Sequence, residues 1–194
     1  MGFLYNPHSH FNMANLITFI NISCGIFSIY FLTHQNFLLA ALFAWTAGFC
    51  DIFDGKVARK YKLSTEFGIQ LDSFADFLSF VIVPIMFIYF GIIDGKELDL
   101  NTFLIVFICI SYVINGLRRL IQFNINAKKG EVEKYFIGVP TPLGAIFLWL
   151  IFLGFNFGIL DMISFDILRS EYIALFLTFI VGLTLNSKIK IKHP

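Results

Sequence analysis

Long apolar runs alternate with short polar stretches along this chain. Residues 1–50 contain no Asp, Glu, Lys or Arg, and the first charged side chain is Asp51. A helix that crosses the hydrocarbon core of a bilayer needs roughly 20 mostly apolar residues. Runs of that order predict six spans, at about 15–33, 37–59, 68–93, 99–124, 138–160 and 170–187. The runs are continuously apolar rather than alternating, which argues against a transmembrane barrel. Short connections leave little room for anything else, so the expectation is one domain, 1–194, an all-α integral membrane protein built as a bundle of six transmembrane helices. Ahead of the first span, Phe3, Leu4, Tyr5, Phe11 and Met13 predict a short N-terminal interfacial helix. That stretch has no Lys or Arg and so lacks the positive region of a signal peptide.

Composition agrees. The 194 residues are 58% hydrophobic and 14% charged, with a mean hydropathy of +0.80. Soluble domains are about 45–50% apolar and about 25% charged, so soluble, disordered and disulfide-stapled classes are excluded. The formal charge of +1 gives no bulk attraction to nucleic acid. Placement of the basic residues sets an orientation. Twelve of the fourteen fall on one side: Lys56, Arg59, Lys60, Lys62, Arg118, Arg119, Lys128, Lys129, Lys134, Lys188, Lys190 and Lys192. Lys96 and Arg169 fall on the other. The expectation is a multi-pass protein of the cell membrane with both termini cytoplasmic. Cys24, Cys50 and Cys109 lie in spans without a metal-like spacing and read as small packing residues. His8 and His10 read as a solvated or interfacial pair.

The acids then become informative. Asp94, Glu97, Asp99, Asp161, Asp166 and Glu171 fall in or beside external loops, and Glu66, Glu131 and Glu133 in cytoplasmic ones. Asp51, Asp54, Asp72 and Asp76 remain, inside spans 2 and 3, where a carboxylate costs at least about 2.5 kcal/mol. Asp51 and Asp54 are three apart and Asp72 and Asp76 four apart, so each pair projects from one helix face. The connection between the two spans is short, so both pairs meet near the cytoplasmic end of the bundle. Four converging carboxylates repel one another. Hard divalent cations such as Mg²⁺, Mn²⁺ or Ca²⁺ suit an all-oxygen site, and four acids suffice for two ions about 3.5–4 Å apart. A buried charge network with Arg59 and a proton relay are the other arrangements this spacing admits. Gly55, Ala58 and Gly68 let helices approach closely and leave a nucleotide-sized notch beside the acids.

These residues form a continuous pattern: Asp51-x-x-Asp54-Gly55-x-x-Ala58-Arg59, eight residues, then Gly68-x-x-x-Asp72-x-x-x-Asp76. It resembles the signature of the CDP-alcohol phosphotransferases, with every fixed position present at the family spacing. Asn15-Leu16-Ile17-Thr18 with Asn21 and Cys24-Gly25 is similar to the first span of the phosphatidylserine synthase branch. So are Leu71–Asp76 with Pro84, Arg119–Asn124, and Phe136–Pro142. One departure stands at Gln122, where many relatives carry a second basic residue.

The resemblance implies transfer of a phosphatidyl or archaetidyl group from a CDP-linked lipid to the hydroxyl of L-serine, releasing CMP. It implies two divalent cations, Mg²⁺ or Mn²⁺, held by Asp51, Asp54 and Asp72, with Asp76 contributing to that site and acting as catalytic base. Gly55, Ala58, Arg59 and Gly68 would line the CDP-lipid pocket together with Asn15 and Thr18. Arg119, Asn124, Gly138 and Thr141 are the candidates for serine binding. CDP-diacylglycerol or CDP-archaeol, L-serine and membrane lipids are the implied partners, in a homodimer with a cytoplasmic active site and no nucleic acid. Glycerol 3-phosphate or an inositol phosphate as acceptor, and an ion-coupled transporter, are the alternatives.

Overall fold

A computed structural model describes residues 4–6, 9–93, 100–128, 135–162, 170–187 and 190–192. The readings made above at Phe3, His8, Asp94, Lys96, Glu97, Asp99, Lys129, Glu131, Glu133, Lys134, Asp166, Arg169 and Lys188 lie outside the described residues. The chain divides into two compact units, Met1–Val83 and Pro84–Pro194.

The first unit holds α1 (Met13–Thr33), α2 (Phe37–Tyr61) and α3 (Glu66–Asp76), followed by a π-helical segment, Phe77–Ile82. Asn12 starts α1 by accepting from the Asn15 N–H, while its own amide donates to the Leu63 carbonyl. The expected interfacial helix is absent among the described residues before Met13. The described residues before Met13 make turns, in which the Met13 N–H is taken by the Leu4 carbonyl and the Phe11 N–H by Ser9 Oγ. His10 packs edge-on against Phe67, and Tyr5 against Tyr61. α2 runs two residues past its expected end and stops where Lys62 turns left-handed at φ 53°, letting the Leu63 N–H close back onto the Ala58 carbonyl. Thr65 then caps α3 by accepting from the Gly68 N–H.

The π segment follows Asp76 directly. The Val83 N–H reaches back five residues to the Leu78 carbonyl, and the next residue, Pro84, has no N–H to restore an α-helical ladder. Such wide turns recur at functional sites. Gly25 brings α1 close to the π segment here: a Cβ would stand 2.8 Å from Leu78 Cδ2, so the Leu78 side chain would have to shift to admit one.

The second unit holds α4 (Val83–Ile93) from its second residue on, then α5 (Leu100–Lys128), α6 (Thr141–Asn156) and α7 (Ser170–Leu185). A two-stranded exception to the helical rule is a short ribbon in which β1 (Tyr135–Ile137) pairs antiparallel with β2 (Lys190–Lys192). Pro140 and Pro142 open α6, as their missing N–H groups allow at a helix start. Tyr112 of α5 lies against Gly182 of α7, and its hydroxyl stands 3.3 Å from where a Cβ of Gly144 of α6 would be.

Among the described residues, four helical stretches are long and apolar enough to cross a membrane: Met13–Thr33, Phe37–Tyr61, Glu66–Ile92 and Thr102–Ile125. α6 and α7 are apolar but shorter, at 16 residues each, or about 24 Å of helix against about 30 Å of hydrocarbon. The expected span 138–160 is cut at both ends by left-handed glycines, Gly138 at φ 85° and Gly158 at φ 69°. The six apolar helical runs of the sequence are thus present, with the last two shortened. Their outward faces stay apolar, with Trp45, Phe49, Phe107 and Leu150 all exposed, as lipid contact requires. Cys24, Cys50 and Cys109 are free thiols within α1, α2 and α5.

Candidate active site

α1 and α2 run antiparallel. Thr18 and Asn21 on α1 face Asp54 and Asp51 on α2, and farther along the pair Ser28 Oγ donates to the Ala40 carbonyl at 2.8 Å. α3 adds Asp72 and Asp76 from the same end. Carboxylate oxygens of Asp51, Asp72 and Asp76 all lie within 4.8 Å of one another. Asp51 and Asp76 are in direct hydrogen-bonding reach of each other. Three carboxylates at this spacing repel unless a cation stands among them. An all-oxygen donor set of this charge fits Mg²⁺ or Mn²⁺.

Asp54 takes a different position from its three companions. It is buried, and its Oδ2 accepts from the Thr18 hydroxyl at 2.7 Å. It faces a cavity of about 170 Å³ in the first unit, bordered also by Asp72. All six residues expected at the CDP-lipid pocket line this cavity: Asn15, Thr18, Gly55, Ala58, Arg59 and Gly68. Arg59 is exposed, and its charge acts on Asp72 across the cavity. Gly68 is held against α1, because a Cβ there would stand 2.8 Å from Asn15 Oδ1. Gly55 has more room, with Arg59 Nη1 at 3.7 Å from where a Cβ would be.

A match to the family model for CDP-alcohol phosphatidyltransferase covers residues 11–184. The chain belongs to the CDP-alcohol phosphatidyltransferase family. Three curated relatives share the name CDP-diacylglycerol–serine O-phosphatidyltransferase. That of Bacillus subtilis (strain 168) is 35% identical over 141 residues, covering 73% of this chain and 75% of the relative. That of Helicobacter pylori (strain 26695) is 30% identical over 182 residues, covering 93% and 70%. That of Methanocaldococcus jannaschii is 30% identical over 183 residues, covering 94% and 75%. A CDP-alcohol phosphatidyltransferase with these helices is a multi-pass membrane protein, and such enzymes use divalent metal ions.

The four residues singled out for serine lie in the second unit of this CDP-alcohol phosphatidyltransferase. Arg119 is buried on α5 and its Nε donates to the Val139 carbonyl at 3.4 Å. It therefore meets the segment that carries Gly138 and Thr141. Thr141 is buried at the start of α6, and Gly138 packs against the end of α7. Asn124 is half-buried farther along α5, and Arg118, one residue before Arg119, points outward.

Charge alone missed several members of the first unit's site. Ser64 and Thr65 line the cavity. Asn12 ties the start of α1 to the turn carrying Leu63. Asn21 is fully buried between Asp51 and Ser79. The available signal was the polar spacing of α1, where Thr18 and Asn21 mirror Asp54 and Asp51 in reverse order.

Proposed function

We propose that this protein is a CDP-diacylglycerol–serine O-phosphatidyltransferase. The observation that carries the reading is the meeting of one cavity, lined by all six expected CDP-lipid residues, with a cluster of three carboxylates. The names of the relatives support serine as acceptor.

In the proposed reaction the serine hydroxyl oxygen attacks the lipid-linked phosphorus of the CDP-lipid. The bond from that phosphorus to the CMP oxygen breaks, CMP leaves, and the hydroxyl proton passes to Asp76. A serine hydroxyl is a weak nucleophile at neutral pH, so a positioned base is needed. Asp51, Asp54, Asp72 and Asp76 would hold two divalent cations, Mg²⁺ or Mn²⁺. When bound, the ions neutralise charge on the pyrophosphate and align the displacement. Arg59 faces the anionic diphosphate, while Gly55, Ala58 and Gly68 give it a close backbone approach. Asn15 and Thr18 form the α1 wall.

Arg119 pairs with the serine carboxylate, with Asn124, Gly138 and Thr141 completing the acceptor site. The chain works as one domain with six spans and both termini in the cytoplasm. It uses CDP-diacylglycerol or CDP-archaeol, which present the same diphosphate and cytidine, and assembles as a homodimer in lipid.

The deciding assay is CMP release by purified protein with CDP-diacylglycerol and Mg²⁺ or Mn²⁺. L-serine is expected to drive it, whereas glycerol 3-phosphate and inositol phosphate are not. Release driven by either phosphate acceptor rather than serine overturns the assignment, and no release with any alcohol leaves ion-coupled transport as the better account.

Two substitutions test the subsites. Arg119→Ala is expected to raise the KM for serine about 10–100-fold, the worth of a hydrogen bond to a charged group. The KM for CDP-diacylglycerol should hold, and equal serine dependence in variant and wild type refutes the assignment. Gly68→Ala places a Cβ against Asn15 Oδ1 and Thr65 Oγ1. It should raise the KM for CDP-diacylglycerol about tenfold, as overpacking by about 1.4 kcal/mol implies. Mn²⁺ affinity in the same variant is expected to stay at the wild-type value.

A further inference from the structure

Within the first unit, two polar side chains of α1 are matched to two carboxylates of α2. Thr18 and Asn21 are three residues apart on α1, and Asp54 and Asp51 three apart in reverse order on antiparallel α2. Thr18 Oγ1 donates to Asp54 Oδ2 at 2.7 Å, and Asn21 Nδ2 to Asp51 Oδ1 at 3.5 Å.

A carboxamide has a donor end and an acceptor end, and only the donor end suits a carboxylate. The Asp51 carboxylate, which only accepts, takes the NH₂ end. The carbonyl end then turns to the π segment, where Ser79 Oγ donates to Asn21 Oδ1 at 2.6 Å. Both residues are buried, Asn21 fully, so water does not compete for either end. Ser79 stands three residues after Asp76. The α3–π stretch thus acts on Asp51 twice, directly through Asp76 and indirectly through Ser79 and Asn21.

We propose that Asn21, held at its carbonyl end by Ser79, is a positioning residue that holds the Asp51 carboxylate through one oxygen and leaves the other for a divalent ion. The inference rests on the reading of Asp51 as an ion ligand. Outer partners of metal-bound groups typically matter by about 10–100-fold in affinity.

The test is Mn²⁺ binding to the full chain in detergent, followed by electron paramagnetic resonance without substrate, with metal-free melting recorded beside it. Asn21→Leu keeps the volume and removes the amide, and is expected to raise the Mn²⁺ Kd about 10–100-fold. Ser79→Ala, a minimal truncation that spares the helix, is expected to raise it about tenfold. A purely structural role for the pair would lower melting and leave the Kd of the folded fraction unchanged, and that result overturns the proposal. Asp51→Asn separates the two levels of the argument. If it loses Mn²⁺ while Asn21→Leu and Ser79→Ala bind as wild type, the positioning role alone is refuted. If wild type binds no Mn²⁺, or Asp51→Asn binds it unchanged, the ligand reading falls and the positioning role with it.

Discussion

Asp51→Asn should reduce CMP release by about 10³-fold or more, the rate equivalent of several kcal/mol of lost charge stabilisation. Asp51 belongs to the cluster: one of its oxygens lies within 4.8 Å of one from Asp72 and one from Asp76, and Asn21 approaches it from α1. Replacing it with an amide removes one of three converging negative charges and one oxygen ligand, with almost no change in shape. The same change relieves repulsion in the metal-free protein, so metal-free melting should not fall. Opposite movements of activity and metal-free stability identify a site residue rather than a packing residue. Saturating Mn²⁺ should sharpen the contrast. At about 100 times Kd a bound ion stabilises the folded state by about 2.7 kcal/mol, a gain wild type shows and the variant loses. A metal-free melting temperature well below wild type in Asp51→Asn would mean that the cluster is a structural network, and the metal reading would fail. Asp76→Asn divides the roles further. Retained Mn²⁺ binding with lost turnover supports Asp76 as the base, and lost Mn²⁺ binding counts against a simple base.

Gly138→Ala should destabilise the second unit by about 2–5 kcal/mol, combining a left-handed backbone with a steric clash. Gly138 has φ 85°, and an added Cβ would stand 2.6 Å from the Leu185 carbonyl oxygen and 3.0 Å from that of Ser187. Both obstacles are backbone at the end of α7, so no side-chain rotation relieves them. The neighbouring Val139 N–H donates to the Thr184 carbonyl, and β1 immediately before is paired with β2. The chain cannot swing away here without breaking these bonds. The loss should appear as a lower denaturation midpoint in detergent. Gly55→Ala is the control, because its Cβ would meet nothing closer than Arg59 Nη1 at 3.7 Å. Equal stability of Gly138→Ala and wild type would mean that the tight contact with α7 does not form.

The acids of the site are legible in the sequence because a bilayer makes every carboxylate conspicuous. Asp51, Asp54, Asp72 and Asp76 stand out against runs without charge, and helical spacing places each pair on one face. Ser79 has no such contrast. Ser23, Thr46 and Ser73 also sit in helices, and each donates to the carbonyl four residues back, a common way to satisfy a hydroxyl. Nothing in residue type separates Ser79 from these three. Its different partner lies on α1, where Asn21 Oδ1 stands 2.6 Å away. The early end of α6 is hidden for a related reason: Gly138 and Gly158 are ordinary small residues in an apolar run until their φ angles are known.

The sequence by itself determined that the chain lives in a membrane, that its apolar helical runs number six, and that one signature gathers four aspartates, two glycines, an alanine and an arginine. These follow from composition and one-dimensional spacing, because lipid punishes charge and a helix repeats every 3.6 residues. Tertiary structure alone decided how the four acids divide, with Asp51, Asp72 and Asp76 clustered and Asp54 held by Thr18 at the cavity wall. It alone joined Asn21 to both Asp51 and Ser79, residues 30 and 58 positions away in the chain. The direction of an uncharged amide is set by its neighbours across helices, and no local pattern records it.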